Sequence, residues 1–207
     1  MSTQRRRVLE NSGLIIPADG VYIEGLDGRA YTVDNWKRGN AANSVIVASG
    51  DVKFRIALTE PSSEMRMSSY YSDPLDNYMT AISDIPAAKS DYDGAGNTAK
   101  ILQVQPSTDY AAGYCNSFIF PDGKTKGFLP SLGQLNLAYQ NKAAVNIALG
   151  ICGGTAMNSY YWSSTFCGVR NERHRYCWAL DWSEGGVYSQ YYLTLDLYVR
   201  PFADMFY

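Results

Sequence analysis

The chain has 207 residues, a net charge of −2 and only 18% charged residues, which excludes the strongly basic surface that nucleic-acid binding requires. Apolar residues make up 46%, enough for a packed core and too many for a disordered chain. Half of the aromatic residues, 14 of 28, lie from Tyr160 onward. So short a segment has a limited buried face, and part of this excess is expected at the surface.

A single histidine, His174, leaves no multi-histidine metal site and no Ser-His-Asp arrangement that omits it. Cys115, Cys152, Cys167 and Cys177 include no C-x-x-C pair. No metal and no cofactor is therefore expected. Between Met1 and Leu14 stand Arg5, Arg6 and Arg7 with no apolar stretch of signal-peptide type before Pro17. The expectation is a protein made in the cytoplasm with free thiols. No run approaches a membrane span.

Residues 1–19 read as a polar arm, solvated in the plainest reading and a contact for a partner or nucleic acid in the alternative. From Gly20 the pattern is β. Val21-Tyr22-Ile23 and Arg29-Ala30-Tyr31-Thr32 flank the turn signal Leu26-Asp27-Gly28. Ser44–Ala48 and Val52–Leu58 flank Ser49-Gly50-Asp51 and predict a second hairpin, with Trp36 between the two as core. Residues 59–92 show no sustained period and read mostly as loop, of the kind that is functional or covers a core.

Helices are predicted over Asn97–Gln103, capped by Asn97, and over Asp109–Phe118, capped by Asp109. Ser131 caps Leu132–Tyr139, and Ala143–Leu149 continues helically to Gly150. Strands return at Tyr160–Thr165, Cys177–Ser183, Val187–Tyr192 and Leu195–Phe202. Strands, then helices, then strands, without βαβ alternation, predict an α+β fold of small antiparallel sheets with two to four short helices.

Three motifs carry candidate chemistry. Asp91-Tyr92-Asp93-Gly94 has the first two acidic positions of a calcium loop. Ala95 and Leu102 occupy its fifth and twelfth, so a turn into a helix is the better reading. Cys167 and Cys177 flank Arg170, Arg173, His174 and Arg175, cations that would activate a thiol, but no ordered base and orienting acid accompany them. Tyr188, Tyr191 and Tyr192, with those arginines, are the residue types that dominate binding surfaces. Alternation places Trp178, Leu180 and Trp182 on a core face and Ala179, Asp181 and Ser183 outward.

Tyr161-Trp162-Ser163-Ser164-Thr165, Trp178-Ala179-Leu180-Asp181-Trp182 and Tyr198-Val199-Arg200-Pro201-Phe202 follow in an order that resembles a C-type lectin-like domain of the formylglycine-generating-enzyme type. More narrowly, they resemble the variable proteins of diversity-generating retroelements, including phage-borne ones. Gly20-Val21-Tyr22-Ile23, Gly127-Phe128-Leu129-Pro130-Ser131-Leu132-Gly133 and Cys152-Gly153-Gly154-Thr155-Ala156-Met157 extend the likeness over residues 20–207. It implies a domain at 20–207 with a variable region at about 160–202. In that family, template adenines are mutated, and an AAC or AAT codon so randomised cannot yield Trp, Met, Lys, Glu or Gln. From Phe166 to Leu197 those types are limited to Glu172, Trp178, Trp182, Glu184 and Gln190.

The resemblance implies a non-enzymatic, ligand-binding protein. Its candidate contacts are Phe166, Cys167, Val169, Arg170, Asn171, Arg173, His174, Arg175 and Tyr176 in one loop, Asp181 and Ser183 from the next strand, and Tyr188, Tyr191, Tyr192, Leu193, Leu195 and Asp196 from the last hairpin. Trp162, Trp178, Trp182 and Arg200 form the scaffold. The implied setting is a phage tail-fibre or receptor-binding protein of the virion, a possible homo-oligomer. It would attach to a host-cell surface protein or glycan and join other tail proteins, with no nucleic acid and no membrane insertion. The motifs of calcium-dependent sugar binding (Glu-Pro-Asn or Gln-Pro-Asp, then Trp-Asn-Asp) are missing from the sequence. The alternatives are an oxidase using Cys167 and Cys177, and a structural or fimbrial surface protein.

Overall fold

The computed structural model describes residues 19–170, 174–189 and 191–205. Apart from Asp19, the predicted arm lies outside them. Five strands form one antiparallel sheet in the order β2-β1-β3-β4-β8: β1 Gly20–Gly25, β2 Ala30–Tyr31, β3 Ala42–Ser49, β4 Val52–Ile56 and β8 Phe202–Asp204. The two predicted hairpins are present. Their turns depend on Gly28 and Gly50, whose φ values of 74° and 54° are open to glycine and costly to branched residues. Along β3, Val45 and Val47 face the main core, while Ile46 and Ala48 face a smaller cluster with Tyr22 and Met205. A buried carboxylate, Glu24, crosses this sheet. It accepts both Arg55 Nε and an Arg55 terminal nitrogen at 2.8 Å, Asn43 Nδ2 at 2.7 Å and Ser44 Oγ at 2.6 Å, so its charge is matched.

The second sheet has the order β5-β6-β7, with β5 Tyr160–Arg170, β6 His174–Asp181 and β7 Val187–Tyr188. Five helices lie among the described residues, against the two to four predicted: α1 Ile85–Ala88, α2 Gly94–Ile101, α3 Ala111–Ser117, α4 Leu132–Gln140 and α5 Lys142–Ile151. The extra helix, α1, sits in the stretch read as loop, where the Asp84 carboxylate caps Ala87 N at 3.0 Å and Pro86 fits the first turn. Helix α2 starts earlier than predicted because Asp93, not Asn97, caps it, accepting from Gly96 N at 3.0 Å. Asp109 does not cap α3; its carboxylate is bonded by Ser107 Oγ at 3.0 Å, and Tyr110 holds the cap position. Helix α4 begins at Leu132 as predicted. Gly133 there lies so close to the Asp91 carbonyl that a Cβ would stand 2.2 Å from its oxygen.

The later strands are shorter than predicted. Among the described residues of Val187–Tyr192, only Val187–Tyr188 is strand, with one further bridge between Tyr176 and Tyr192. Leu195–Val199 is not a continuous strand either. Leu197 bridges Met65 and Tyr198 bridges Tyr161 before the chain enters β8. Backbone groups in this stretch are satisfied by partners from two different segments, which prevents a single ladder.

Two cores meet at the second sheet. The upper core packs Val45, Val47 and Phe54 of the first sheet and Leu135, Val145 and Leu149 of α4 and α5 onto Trp178, Leu180 and Trp182, with Trp36 at its edge. The lower core packs Met67, Leu75, Met79, Ile101, Ala112 and Leu129 onto Trp162, Phe166, Cys177 and Ala179. Each large side chain so buried is worth about 1.5–3 kcal/mol of transfer free energy. The fold is α+β, and no helix of the described residues is long and apolar enough to cross a membrane.

Candidate binding face

Burial on both faces changes the reading of β6. Ala179 and Asp181 are not outward: both are buried, Ala179 beneath Met67, Leu75 and Met79, and Asp181 in the turn that it forms with Ser183. The seven described residues of the nine predicted in one loop belong instead to a strand pair. Phe166 pairs with Cys177, Gly168 with Tyr176, Val169 with Arg175 and Arg170 with His174. Cys167 is the extra residue of a bulge in β5. Asn171 and Arg173 lie outside the described residues.

The predicted contacts fall into three groups. Val169, Arg170, Ser183, Tyr192, Leu195 and Asp196 are exposed, and His174, Arg175, Tyr188 and Tyr191 are half-buried. Phe166, Cys167, Tyr176, Asp181 and Leu193 are buried, which corrects their assignment as contacts. Phe166 belongs to the lower core, and Cys167 and Tyr176 to the upper. Leu193 is held by its own carbonyl, which accepts from Met67 N and Ser68 N, both at 2.9 Å. Asp181 builds the turn after β6: it accepts Ser183 N at 2.8 Å and Ser183 Oγ at 2.6 Å, while Gly185 N donates to its carbonyl at 2.8 Å. Trp162, Trp178, Trp182 and Arg200, assigned to the scaffold, are all buried.

At the open end of the sheet, planar groups follow one another across three segments. Arg170 lies over the Tyr176 ring at 5.3 Å, Tyr176 is 5.0 Å from Tyr192, Tyr192 is 5.1 Å from His174, and His174 is 4.6 Å from Tyr71. Centroid spacings of this size mark contacts worth about 0.5–1.5 kcal/mol each beyond area burial. Arg170 also donates to Ser189 Oγ at 3.2 Å. His174 Nδ1 is buried without a hydrogen-bond partner among the described residues. Nearer the turn, Tyr160, Tyr188 and Tyr191 form a second cluster, with centroids 5.7–6.1 Å apart, and Tyr191 rests edge-on against Trp162. The negative charge of Asp181 beside Tyr160 disfavours a phenolate and pushes that phenol up to about 12.

Tyr71, Asp76 and Tyr160 border this face and are absent from the contacts predicted from sequence. Asp76 accepts Arg175 Nε at 2.8 Å and a second Arg175 nitrogen at 3.1 Å. The signal available was the tyrosine content of the 59–92 stretch, which carried no period to place it.

The cysteines are all free. Burial raises the thiols of Cys167 and Cys177, the Arg170 charge opposing it only in part at Cys167. The two sit in opposite cores, on either side of the sheet. Asp91 is used in the turn before α2: it accepts Asp93 N at 3.0 Å, Asn97 Nδ2 at 2.7 Å and Thr165 Oγ1 at 2.6 Å. No group of three or more His, Cys, Asp or Glu side chains among the described residues is arranged to hold a metal ion.

Comparison with protein-family models, with curated proteins and with solved structures finds no match to this chain.

Proposed function

We propose that the chain is a non-enzymatic binding protein. Its frame is C-type lectin-like, and it displays a diversified surface of the kind made by diversity-generating retroelements. One observation carries the reading. A hairpin whose tryptophans are locked between two cores ends in a run of tyrosine, arginine and histidine groups in edge-on, tilted and cation–π contact with one another, which reaches solvent at Arg170 and Tyr192. Rigid aromatic anchors on a fixed frame are what affinity requires, since few rotamers are lost on binding. Codon reach supports it too. Trp178 and Trp182, which a randomised asparagine codon cannot produce, are buried, whereas the exposed Val169, Arg170, Tyr192, Leu195 and Asp196 are all reachable types; the exposed Glu184 is not, and in this reading it belongs to the constant frame.

In this reading the protein is a tail-fibre or receptor-binding component of a phage virion, and its target is a host-cell surface protein or glycan. The oxidase alternative needs reactive thiols at Cys167 and Cys177, and burial disfavours the thiolate at both. Sequencing this gene from sibling isolates tests the proposal. Substitutions confined to about 160–202, sparing Trp162, Trp178, Trp182 and Arg200 and avoiding Trp, Met, Lys, Glu and Gln, are the expected result. Substitutions spread evenly along the chain would overturn it.

A further inference from the structure

We propose that the segment from Ser68 to Tyr78 is a constant half of the binding face, and that the whole face accepts a protein surface presenting a carboxylate among apolar side chains. This rests on the binding-protein reading above and adds to it a second segment and a class of partner.

Three large rings of this segment stand in solvent: Tyr70 is 66% exposed, Tyr71 47% and Tyr78 48%. Aromatic rings concentrated at that exposure on one segment are costly to leave in water and are the residue type most enriched at binding hot spots. The backbone beneath them is held at several points. Ser68 N donates to Leu193 O and Arg175 N to Tyr71 O, both at 2.9 Å, and Leu75 and Met79 are buried in the lower core. Rings presented from an anchored backbone lose little entropy on binding. Tyr71 joins them to the diversified hairpin through His174. The segment lies outside residues 160–202, so under the retroelement reading it stays constant while its neighbours change.

Charge selects the partner. Asp76 neutralises Arg175, and Asp196 neutralises Arg66. Arg170 donates to a neutral hydroxyl and lies over a ring, and no carboxylate among the described residues is within ion-pair distance of it. A carboxylate brought by the partner would complete its donor fork, and the surrounding rings would exclude water from the pair. An uncharged glycan offers no such group.

The test pans a phage-displayed library of random dodecapeptides on the full chain, with an array of neutral glycans in parallel. The expected result is enrichment of peptides carrying Asp or Glu beside aromatic or aliphatic residues. Arg170→Ala, and separately the pair Tyr70→Ala with Tyr78→Ala, should each weaken the best peptide roughly tenfold at unchanged melting temperature. Peptides without acidic residues, or binding to glycans alone, would overturn the partner class. If Tyr192→Ala abolishes binding while the Tyr70/Tyr78 pair does not, the constant half is overturned and the binding-protein reading stands. If no variant changes binding, or nothing is enriched, both fall.

Discussion

The guanidinium of Arg175 on β6 is held in a fork by the Asp76 carboxylate, 2.8 and 3.1 Å away, across 99 residues of sequence. Hydrogen bonds from Arg175 hold the Asp76 carboxyl below its ordinary value of 3.8. The folded form therefore gains stability above the unfolded carboxyl's pKa, and that gain is lost as pH falls through the depressed folded value. The pair is partly exposed, with Asp76 at 36% of its side chain, so it contributes only about 0.2–1 kcal/mol. Asp76→Asn should leave the melting temperature nearly unchanged at pH 7. It should speed amide exchange at Tyr71 and Arg175, measured by hydrogen–deuterium exchange with mass spectrometry. Unchanged exchange there would mean the fork does not hold the segment.

A second pair is almost enclosed, with the Arg200 side chain fully buried and 8% of the Glu60 side chain exposed. An Arg200 terminal nitrogen lies 2.8 Å from Glu60 Oε2, the same oxygen that accepts Tyr161 Oη at 2.9 Å; that nitrogen also donates to the Thr155 carbonyl and the other terminal nitrogen to the Ala57 carbonyl, while Arg200 Nε has no partner among the described residues. Removing one member strands a buried charge. Arg200→Ala or Glu60→Ala should cost about 3–5 kcal/mol in urea unfolding, far more than any change at the exposed pair of Arg66 and Asp196. A cost below about 1 kcal/mol would contradict the enclosure of the pair.

Tyr160 should be among the last phenols to titrate. With a pKa raised to about 12 from 10.0, mainly by the Asp181 charge, its neutral form is favoured in the folded state. The associated stability is complete below pH 10 and disappears as pH climbs through about 12. Absorbance titration of phenolate formation should lose a high-pH step in Tyr160→Phe. Asp181→Asn should move that step down toward 10; a step that stays put would show that Asp181 is not its cause.

Thiol chemistry gives a fourth check. Burial raises all four thiols, Cys152 to about 11 and the fully buried Cys115 and Cys177 further. In native protein at pH 8, an aromatic disulfide reagent should react slowly, and first at the half-buried Cys152. All four should react on unfolding. Rapid native reaction at Cys167 or Cys177 would revive the oxidase alternative.

Local chemistry was readable from sequence, and long-range covering was not. The hairpins around Gly28 and Gly50 and the start of α4 after Ser131 each depend on a few adjacent residues, and each stands where the pattern put it. The face of β6 bearing Cys177 and Ala179 could not be read this way. Alternation reports that two faces differ; it does not report that Met67, Leu75 and Met79, a hundred residues upstream, lie over the second one. Phe166 and Leu193 went astray for the same reason. Exposed Tyr192 and Arg170 were legible, since ring and guanidinium composition marks a surface locally, while their partner Tyr71 came from a segment with no period to follow.

The pairing of β8 with β4 bears on synthesis. Phe202 stacks on Phe54 at 5.0 Å and Ala203 pairs with Arg55, so one edge of the first sheet is supplied by residues translated after the whole second sheet. The first sheet cannot close on the ribosome until the second sheet has been read through. A premature stop or frameshift anywhere in 160–202 deletes the closing strand, leaving the β4 edge and Phe54 open to aggregation and proteolysis. The fold thus acts as a proofreader of the reading frame, since only genes whose codons stay in register through the last strand yield a protein that closes.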